Sequence, residues 1–502
     1  MRTLFILNDP PYGTERSYNG LRLAGSLSKR EGEEVRVFLI GDAVACAMSD
    51  QKPPNGYYHL DRMILAVARD SGEEVACCGT CLDARGITGE MLTKGARRSS
   101  LEELADWVQW AGSVVTASMA GRTTVVLGGG VGGLVAAREL RRRLDASDRV
   151  VLVDRDPTYR FAPSFLWVMT GARRPEQVTG DLRRLRRRGI EVLTSEIRGI
   201  DVDGRRVETA DEAVGYDRLV IALGVELAPE ALPGFPEVAH NLYELGGVEA
   251  AGRALRAFGG GRVLVLVSRL PFKCPAAPYE AAFLAESVLR ERGIREGSTV
   301  DVFTPEPFPM PTAGPVLGDA LKAMLGDRDI GFHPERTVER IEPEDRQLVF
   351  EDGERVGFDL LLGVPPQRAP QAVRESGLAA ESGFVPVDRA TLGTSAEGVF
   401  AIGDVTTIPI AGGKFLPKAG VFAEAEAVVV AKRLAAELAG RPSTALFDGK
   451  GSCFVEMGDG VAAFATGDFY AADSPAISLK RPGRRWHLAK VAFERYWMRR
   501  WL

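Results

Sequence analysis

Uninterrupted runs of apolar residues recur along the chain, and each ends at or just before a glycine or a polar residue. Stretches with apolar residues at helical spacing, such as residues 18–30, lie between the runs. Apolar strands that alternate with helices are typical of parallel sheets covered on both faces. The predicted fold class is therefore α/β with Rossmann-type units. The runs are TLFILN (3–8), VRVFLIG (35–41), TTVVL (123–127), RVVLVD (149–154) and RVLVLV (262–267).

The pattern is interrupted near residue 119, which predicts a domain boundary. A chain of 502 residues is too long for one core. Residues 1–118 form a small α/β unit, in which Ser100 and Glu103 predict a capping box and SVVTAS (113–118) the last strand. Residues 119–122 are the predicted linker.

The second unit opens with a glycine-rich turn between a strand and a helix. Gly128, Gly130 and Gly133 have GxGxxG spacing, and Asp154 ends the next strand. This order predicts a dinucleotide site, with turn amides on a pyrophosphate and Asp154 on a ribose. A tight helix–strand packing turn without a ligand is the alternative.

Two later stretches decide which dinucleotide is expected. YDRLVIALG (216–224) and EGVFAIGDV (397–405) resemble the paired motifs of flavoproteins with two dinucleotide-binding domains. The resemblance implies FAD as the cofactor. It also implies that Gly224, Gly403 and Asp404 contact FAD, with Asp404 at the ribityl–phosphate region.

A cysteine stands where a second glycine-rich turn is expected. The strand at 262–267 is followed by SRLPFKCPAAPYE (268–280), which lacks the glycines that let a backbone approach a phosphate. We therefore do not expect NAD(P)H to bind there in the usual way. A reactive thiol needs a lowered pKa, for which Lys273 and the helix predicted after Cys274 are candidates. A small buried cysteine is the alternative.

Three stretches of the second unit resemble the sulfide:quinone oxidoreductase and flavocytochrome c sulfide dehydrogenase family. They are YRFAPSFLWVMTGAR (159–173), PFKCPAAPYE (271–280) and GSCFVEMGDGVAAFATGDFY (451–470). The resemblance covers residues 122–502 and implies that Cys274 and Cys453 face each other beside the flavin. It further implies that sulfide attacks their disulfide or a bridging polysulfide, that a thiolate reduces FAD, and that sulfur leaves as persulfide or polysulfide.

The electron acceptor implied by this resemblance is a quinone. KFLPKAG (414–420) resembles the family's flavin-and-quinone wall, where Lys418 would stabilise negative charge. Alternatively, Lys414 and Lys418 are solvated loop residues. The chain also departs from many quinone-reducing members, because it has no third cysteine between residues 122 and 273.

A cysteine cluster marks the first unit. EVACCGTCLDARGI (74–87) resembles the DsrE/DsrF-like sulfur-relay family, whose small domains carry persulfide on a cysteine. Cys81 is the first choice for the carrier and Cys78 the second, with Arg85 as a candidate to stabilise the thiolate. Inert buried cysteines are one alternative. A zinc site is another, but no second CxxC completes it, so no metal is predicted.

Charge and hydropathy exclude several functions. A net charge of −5 gives no general attraction to nucleic acid. The N-terminus resembles neither a signal peptide nor a membrane span, and six cysteines do not suggest a disulfide framework, so a cytoplasmic protein is expected.

The C-terminal tail is basic and aromatic. Residues 480–502 hold eight Lys or Arg and one Glu, and at helical spacing the aromatic residues share one face. This pattern predicts peripheral contact with an anionic membrane, on the inner face of the plasma membrane. Docking of the aromatic face on the protein's own body is the alternative. The aromatic residues are Trp486, Phe493, Trp497 and Trp501.

The predicted function is FAD-dependent oxidation of sulfide or a persulfide through Cys274 and Cys453, with electrons passed to a quinone and sulfur passed to Cys81. The alternatives are a sulfur-carrier protein whose flavin domain controls persulfide redox state, and an NAD(P)H-dependent persulfide or disulfide reductase. A partner carrier protein and homo-oligomerisation stay open. The predicted domains are 1–118 (DsrE-like), 123–258 and 366–445 (FAD-binding), 259–365 (degenerate NAD-type) and 446–502 (C-terminal region).

Overall fold

The computed structural model describes residues 1–12, 15–53, 58–72, 74–116 and 121–502. The chain divides into two compact units, Met1–Gly121 and Arg122–Leu502. Part of the predicted linker, residues 119 and 120, lies outside the described residues, as does the end of the last predicted strand of the first unit, residues 117 and 118.

The first unit is a five-stranded parallel sheet with its own apolar core, in agreement with the predicted α/β class. In sheet order its strands are Ala96–Ser99, Val75–Cys78, Glu34–Leu39, Arg2–Leu7 and Ser113–Thr116. Its α-helices are Arg16–Leu27, Leu60–Ser71, Gly79–Asp83 and Leu101–Trp110.

Half of the predicted capping box is present. The Ser100 hydroxyl accepts a hydrogen bond from the Glu103 amide at 3.3 Å, which caps the helix Leu101–Trp110. The Glu103 carboxylate does not return to Ser100, because it binds the Arg97 guanidinium and the Ser99 hydroxyl. The spacing of Ser100 and Glu103 alone does not reveal this competing ion pair with Arg97.

The second unit contains two five-stranded parallel sheets. The first has strands Glu191–Thr194, Arg149–Asp154, Thr123–Leu127, Arg218–Ile221 and Val399–Ala401 in sheet order. The second has strands Ala239–Asn241, Leu360–Val364, Gly261–Val267, Ser298–Phe303 and Ile330–His333. The central strand of each sheet, Thr123–Leu127 or Gly261–Val267, carries one of the unbroken apolar runs. These runs are buried because both faces of the sheet are covered.

Helices cover these sheets, and small two- and three-stranded sheets project from them. The pair Val385–Pro386 with Thr406–Thr407 is parallel, and the other small sheets named here are antiparallel. The longer helices are Val131–Arg143, Leu245–Ala257, Ala277–Glu291, Pro315–Gly326 and Gly420–Leu438; the shorter ones are Phe165–Thr170, Phe235–Val238 and Gln371–Arg374. Three-stranded sheets join Ile197–Asp201, Arg206–Thr209 and Ala213–Gly215, and likewise Val338–Glu342, Gln347–Phe350 and Arg355–Gly357. Two-stranded pairs are Thr158–Arg160 with Thr179–Asp181, Glu226–Leu227 with Gln367–Arg368, Val385–Pro386 with Thr406–Thr407, and Pro409–Ile410 with Lys414–Phe415.

Short 3₁₀ helices of three to seven residues connect several of these elements. They are Gly41–Ala47, Gly89–Met91, Ala162–Ser164, Pro175–Gln177, Leu182–Arg188, Pro229–Ala231, Pro311–Ala313, Gly403–Val405 and Ala411–Gly413.

The C-terminal region is an antiparallel sheet followed by one long helix. Its strands are Lys450–Glu456, Ala462–Asp468 and Ala476–Gly483, and the C-terminal helix is Arg484–Trp501. Trp497 and Trp501 are buried in the main core of the second unit, and the Trp497 ring stacks on Tyr159. The aromatic face of the helix therefore docks on the protein's own body.

Candidate active site

A cavity of about 860 Å³ opens in the second unit at the carboxyl ends of the first parallel sheet. Most of the residues predicted to bind the cofactor line it, together with one of the predicted catalytic thiols and the predicted catalytic lysine. These residues are Gly128, Gly130, Asp154, Gly224, Gly403, Asp404, Cys274 and Lys418.

The glycine-rich turn forms one end of the cavity. Gly128 has φ +93°, and a Cβ there would lie 2.5 Å from the Ala222 carbonyl oxygen. A Cβ on Gly133 would lie 1.8 Å from the Gly128 oxygen, so Gly133 serves the packing of turn on helix. The space beside Gly130 is open, and Gly130 is the N-cap residue of the helix Val131–Arg143. The turn thus presents a helix N-terminus to the cavity.

Asp154 stands next to this turn. One carboxylate oxygen accepts a hydrogen bond from the Gly129 amide, and the other accepts one from the Asp156 amide at 2.8 Å. The side chain is therefore fixed at the cavity wall by backbone donors. Its remaining acceptor capacity suits hydroxyl groups of a ligand.

Asp404 and Lys418 meet on another wall. The Asp404 Oδ1 atom is buried without a hydrogen-bond partner within the part of the chain that the structure describes. Lys418 Nζ donates to the Asp404 carbonyl oxygen at 2.6 Å and to the Thr406 carbonyl at 3.0 Å. Lys418 is thus anchored in the wall, which disagrees with the alternative of a solvated loop lysine.

A buried carboxylate that the sequence analysis missed supports this wall. Glu426 accepts a hydrogen bond from the Gly403 amide at 2.6 Å and is almost fully buried. Burial raises the pKa of Glu426 to about 7. It lies within the helix Gly420–Leu438, and only its position on a largely apolar helix face marked it in the sequence.

Cys274 is held by its backbone at the cavity. Its amide donates to the Lys418 carbonyl at 2.7 Å, and its carbonyl accepts from the Tyr243 hydroxyl at 3.2 Å. Its φ is +49°, a left-handed conformation that is unusual outside glycine. The predicted helix follows as Ala277–Glu291, which we name the thiol helix.

Cys453 lies on the strand Lys450–Glu456, which we name the thiol strand. The Glu456 amide, three residues after Cys453, donates to Glu280 Oε1 on the thiol helix at 2.7 Å. A single buried carboxylate thus fixes the strand of one cysteine to the helix that follows the other. Both cysteines are free thiols in this structure.

The electrostatics of the two thiols differ from the sequence expectation. Burial and the Glu280 carboxylate raise the pKa of Cys453 to about 12, and they raise the pKa of Cys274 further. The positive charge that lowers both values belongs to Lys490 on the C-terminal helix. Lys273, a candidate source from the sequence, instead acts on Asp404: burial raises the pKa of Asp404, and the Lys273 charge partly offsets that rise.

The first unit places one cysteine within reach of solvent. Cys46, Cys77 and Cys78 are buried, whereas Cys81 is partly exposed. The Cys81 sulfur accepts a hydrogen bond from the Gly41 amide at 3.2 Å. Burial raises the pKa of Cys77 and of Cys46 to about 12 each.

Arg85, the candidate to stabilise a thiolate, contacts the backbone of Cys81 and a carboxylate. Its guanidinium donates to the Cys81 carbonyl at 3.0 Å and forms an ion pair with Asp42. The hydrogen bond to the Cys81 sulfur comes from a backbone amide instead.

Comparison with known proteins agrees with this geometry. The pyridine nucleotide-disulphide oxidoreductase family matches residues 122–427, more than half of the chain. The chain belongs to this family. Residues 1–117 match the DsrE/DsrF-like family, and Escherichia coli YchN is 37% identical over 116 residues, 23% of this chain and 97% of YchN. The first unit is a DsrE-like domain.

Two relatives of the oxidoreductase unit are named for sulfide chemistry. The mitochondrial sulfide:quinone oxidoreductase of Mus musculus is 27% identical over 304 residues, 57% of this chain and 66% of that protein. The sulfide-quinone reductase of Aquifex aeolicus is 26% identical over 398 residues, 74% of this chain and 90% of that protein. The crystal structure of the Aquifex aeolicus enzyme superposes with a TM-score of 0.69 at 24% identity, covering 76% of this chain and 91% of that chain.

Membership of this family confirms the predicted cofactor and enzyme class. The protein is an FAD-dependent oxidoreductase. The cavity fits FAD, because it joins a helix N-terminus beside Gly130 to a buried oxygen of Asp404 that has no hydrogen-bond partner among the described residues. Among the described helices, none has the length and apolar character needed to cross a membrane.

Proposed function

We propose that this flavoprotein oxidises hydrosulfide or a persulfide through Cys274 and Cys453 and passes the electrons to a quinone. The main supporting observation is the hydrogen bond from the Glu456 amide to Glu280, which holds the thiol strand on the thiol helix beside the FAD cavity. The similarity to two proteins named for sulfide and quinone supports the choice of substrate and acceptor.

The cavity residues are assigned to FAD by their chemistry. Amides of the turn at Gly128 and Gly130 bind the pyrophosphate, and Gly133 lets the helix approach the turn. The Asp154 carboxylate accepts hydrogen bonds from the ribose hydroxyls. Gly224 and Gly403 let the backbone approach the ligand. The Asp404 Oδ1 atom, which has no partner among the described residues, accepts a hydrogen bond from a hydroxyl group of the ribityl chain. Bound FAD supplies the acceptor for two electrons.

The thiol chemistry balances with FAD as that acceptor. Hydrosulfide attacks one sulfur of a Cys274–Cys453 disulfide, so that an S–S bond to the substrate forms and the bond between the cysteines breaks. The other cysteine leaves as a thiolate and closes on the new persulfide to give a trisulfide. Each inserted hydrosulfide therefore releases one proton and two electrons. A second hydrosulfide then attacks the trisulfide, restores the disulfide and leaves as hydrodisulfide.

The DsrE-like domain is the proposed acceptor of this sulfur. A Cys81 thiolate takes one sulfur atom from hydrodisulfide to form a persulfide, and hydrosulfide leaves. Cys81 is favoured over Cys78 because it is the more exposed thiol and its sulfur already accepts the Gly41 amide hydrogen bond.

Contact with a membrane is proposed through the outer face of the C-terminal helix. Leu488 and Tyr496 are exposed there at 64% and 56%, beside the exposed basic side chains of Arg495 and Arg499. A basic helix with exposed apolar residues binds anionic lipid surfaces. The inner face of the plasma membrane, where quinones are dissolved, is the proposed location.

An anaerobic flavin spectrum tests the proposed reaction. We expect hydrosulfide to bleach the flavin of the wild-type protein, because the cysteine pair delivers two electrons to it. Cys274→Ser removes the thiolate at the cavity and should lower the rate by at least about 100-fold, a typical loss for a removed nucleophile. Cys46→Ala, which removes a thiol of the other unit, serves as the control.

The same experiment separates the alternatives. Bleaching by NADH and not by hydrosulfide would show a pyridine-nucleotide-dependent persulfide or disulfide reductase. Bleaching by neither donor, combined with sulfur transfer that depends on Cys81, would favour a sulfur carrier whose flavin only maintains the persulfide. The exposed Cys81 thiol is the observation that keeps this second function in consideration.

A further inference from the structure

A chain of buried charged side chains runs from the thiol pair into the C-terminal helix. Lys490 Nζ donates to Glu280 Oε1 at 2.9 Å, and both side chains are less than one-tenth exposed. Glu280 lines the cavity together with Cys274. The C-terminal helix therefore reaches the site of the redox chemistry.

The chain continues toward solvent. The Glu456 side chain is only 2% exposed, and its Oε2 atom lies 3.0 Å from His487 Nδ1. The His487 side chain is 28% exposed. The two pairs are joined by the Glu456 backbone amide, which donates to Glu280 Oε1 at 2.7 Å, and the Glu456 carboxylate also interacts electrostatically with Lys490. Because Glu456 belongs to the thiol strand and His487 to the first turn of the C-terminal helix, the four polar residues lie between the cavity wall and the surface.

The charges of this group do not cancel without a mobile proton. Two buried carboxylates, Glu280 and Glu456, interact with one ammonium group, that of Lys490, and the fourth member is the His487 imidazole. The Glu456 Oε1 atom has no hydrogen-bond partner among the described residues. A buried, uncompensated carboxylate is costly, so the group is suited to take up one proton. Imidazole exchanges protons readily near neutral pH.

We propose that the C-terminal helix provides the proton route of the thiol site, through Glu280, Lys490, Glu456 and His487. The proposal rests on the proposed function, in which each hydrosulfide inserted between the cysteines releases one proton. Glu280 accepts that proton at the cavity. The Lys490 ammonium group, which interacts with both carboxylates, donates a proton to Glu456 and regains one from Glu280. His487 passes the proton from Glu456 to solvent.

Neighbouring aromatic residues hold the route in place. Lys490 Nζ lies 5.0 Å from the centre of the Trp167 ring, and the His487 ring meets the same indole edge-on at 5.8 Å. Trp167 is buried, so it excludes water from one side of the group. Protons are thereby directed along the side chains and away from the apolar core.

A pair on the same helix offers a matched control. Glu494, one turn beyond Lys490, is buried and forms a bidentate ion pair with Arg173. Glu494→Gln removes a buried charge of the C-terminal helix but leaves the proposed route intact. It therefore reports the cost of disturbing the helix alone.

The first test follows flavin reduction by hydrosulfide in the full-length protein with FAD bound. We expect His487→Ala to slow the reaction about tenfold, because proton release becomes limiting, and added imidazole to restore it. Glu494→Gln should be neither slowed to that extent nor rescued. A His487→Ala protein that reacts at the wild-type rate, or that imidazole does not rescue, contradicts the route.

A second test needs no sulfide and separates this proposal from the proposed function. The rates of alkylation of Cys274 and Cys453 in the reduced protein are compared at one fixed pH by mass spectrometry. Lys490 and Glu280 face both thiols, and Asp404 also faces Cys274. At about pH 9, where only a small fraction of each thiol is ionised, Lys490→Met should slow the alkylation of both cysteines about tenfold, because it removes the positive charge, whereas Glu494→Gln should not.

The flavin-reduction test and the alkylation test can contradict the two proposals independently of each other. If hydrosulfide does not reduce the wild-type flavin, the proposed function is wrong, and the alkylation rates still test the role of Lys490. If Lys490→Met is alkylated at the wild-type rate, or if Glu494→Gln is slowed equally, the role of the C-terminal helix is overturned whatever the substrate.

Discussion

At the scale of single residues, Lys418 shows how the cavity wall holds a charge that a ligand can use. Its ammonium group donates to the carbonyls of Asp404 and Thr406 and lies 3.6 Å from the centre of the Phe384 ring. Burial lowers the pKa of Lys418 to about 8, and neighbouring carboxylates only partly offset this effect. The group is therefore cationic below about pH 8 and neutral above it.

This titration predicts a pH dependence of quinone reduction. When the flavin is first reduced with dithionite and then mixed with a short-chain ubiquinone, the rate of reoxidation should fall as the pH rises through about 8. Lys418→Met should remove this step and react slowly at every pH, because the cation that stabilises anionic quinone is absent. Lys418→Arg should keep the fast rate to higher pH, since guanidinium stays protonated.

Lys414 supplies the control for this prediction. It lies in the same loop, and its Nζ atom donates to the Pro311 carbonyl. Lys414→Met should retain the step near pH 8. A step that persists in Lys418→Met would show that another group titrates.

Residues with local signals were predictable, and those joined by long-range contacts were not. The spacing of Gly128 and Gly130 predicted the cradle because turn, helix and strand are neighbours in sequence. Lys490 lies 210 positions from Glu280, and only the folded chain brings them together. For this reason local sequence offers Lys273 as a candidate charge beside Cys274, whereas the cation that lowers the pKa of Cys274 in the folded chain is Lys490.

At the scale of elements, the C-terminal helix has two faces with different tasks. The inner face packs into the core: the Trp497 indole donates to Glu424 at 3.1 Å, and the Trp501 carbonyl accepts from Arg138 at 3.0 Å. The sequence predicted an amphipathic helix, but it could not show that the aromatic side faces inward. Periodicity identifies an apolar face and does not identify what covers it.

The two faces predict different results for substitutions. Leu488→Ser combined with Tyr496→Ser should reduce co-sedimentation with anionic liposomes and leave the melting temperature unchanged, because both side chains are exposed. Trp497→Ala should destabilise the protein by about 3 to 5 kcal/mol, as expected for a buried aromatic residue, and lower the melting temperature. Liposome binding by the double variant at the wild-type level would argue against membrane contact through this face.

At the scale of the whole molecule, the chain joins two units that both display thiols. The first unit has its own core, and the buried residues of the second unit form separate clusters. The division into a DsrE-like unit and a flavoprotein was predictable because each unit opens with its own apolar strand and contains its own motif. Physical separation of the cores implies that a change in one unit leaves the fold of the other intact.

This independence predicts the outcome of removing the sulfur acceptor. With Cys81→Ser, flavin reduction by hydrosulfide should proceed at the wild-type rate, because the variant does not touch the FAD cavity. Mass spectrometry after turnover should find one added sulfur atom on the wild-type peptide that contains Cys81, and none in the variant. Cys78→Ser is the control, and it should retain the added sulfur, since Cys78 is the less accessible thiol.

Two results would contradict the sulfur hand-off in different ways. Added sulfur that persists in Cys81→Ser and disappears in Cys78→Ser would exchange the roles of the two cysteines. A wild-type protein that bleaches its flavin with hydrosulfide but gains no sulfur on the first unit would mean that hydrodisulfide leaves the enzyme directly. In that case the DsrE-like domain must serve a separate sulfur donor, and the common chain would join two activities without a shared intermediate.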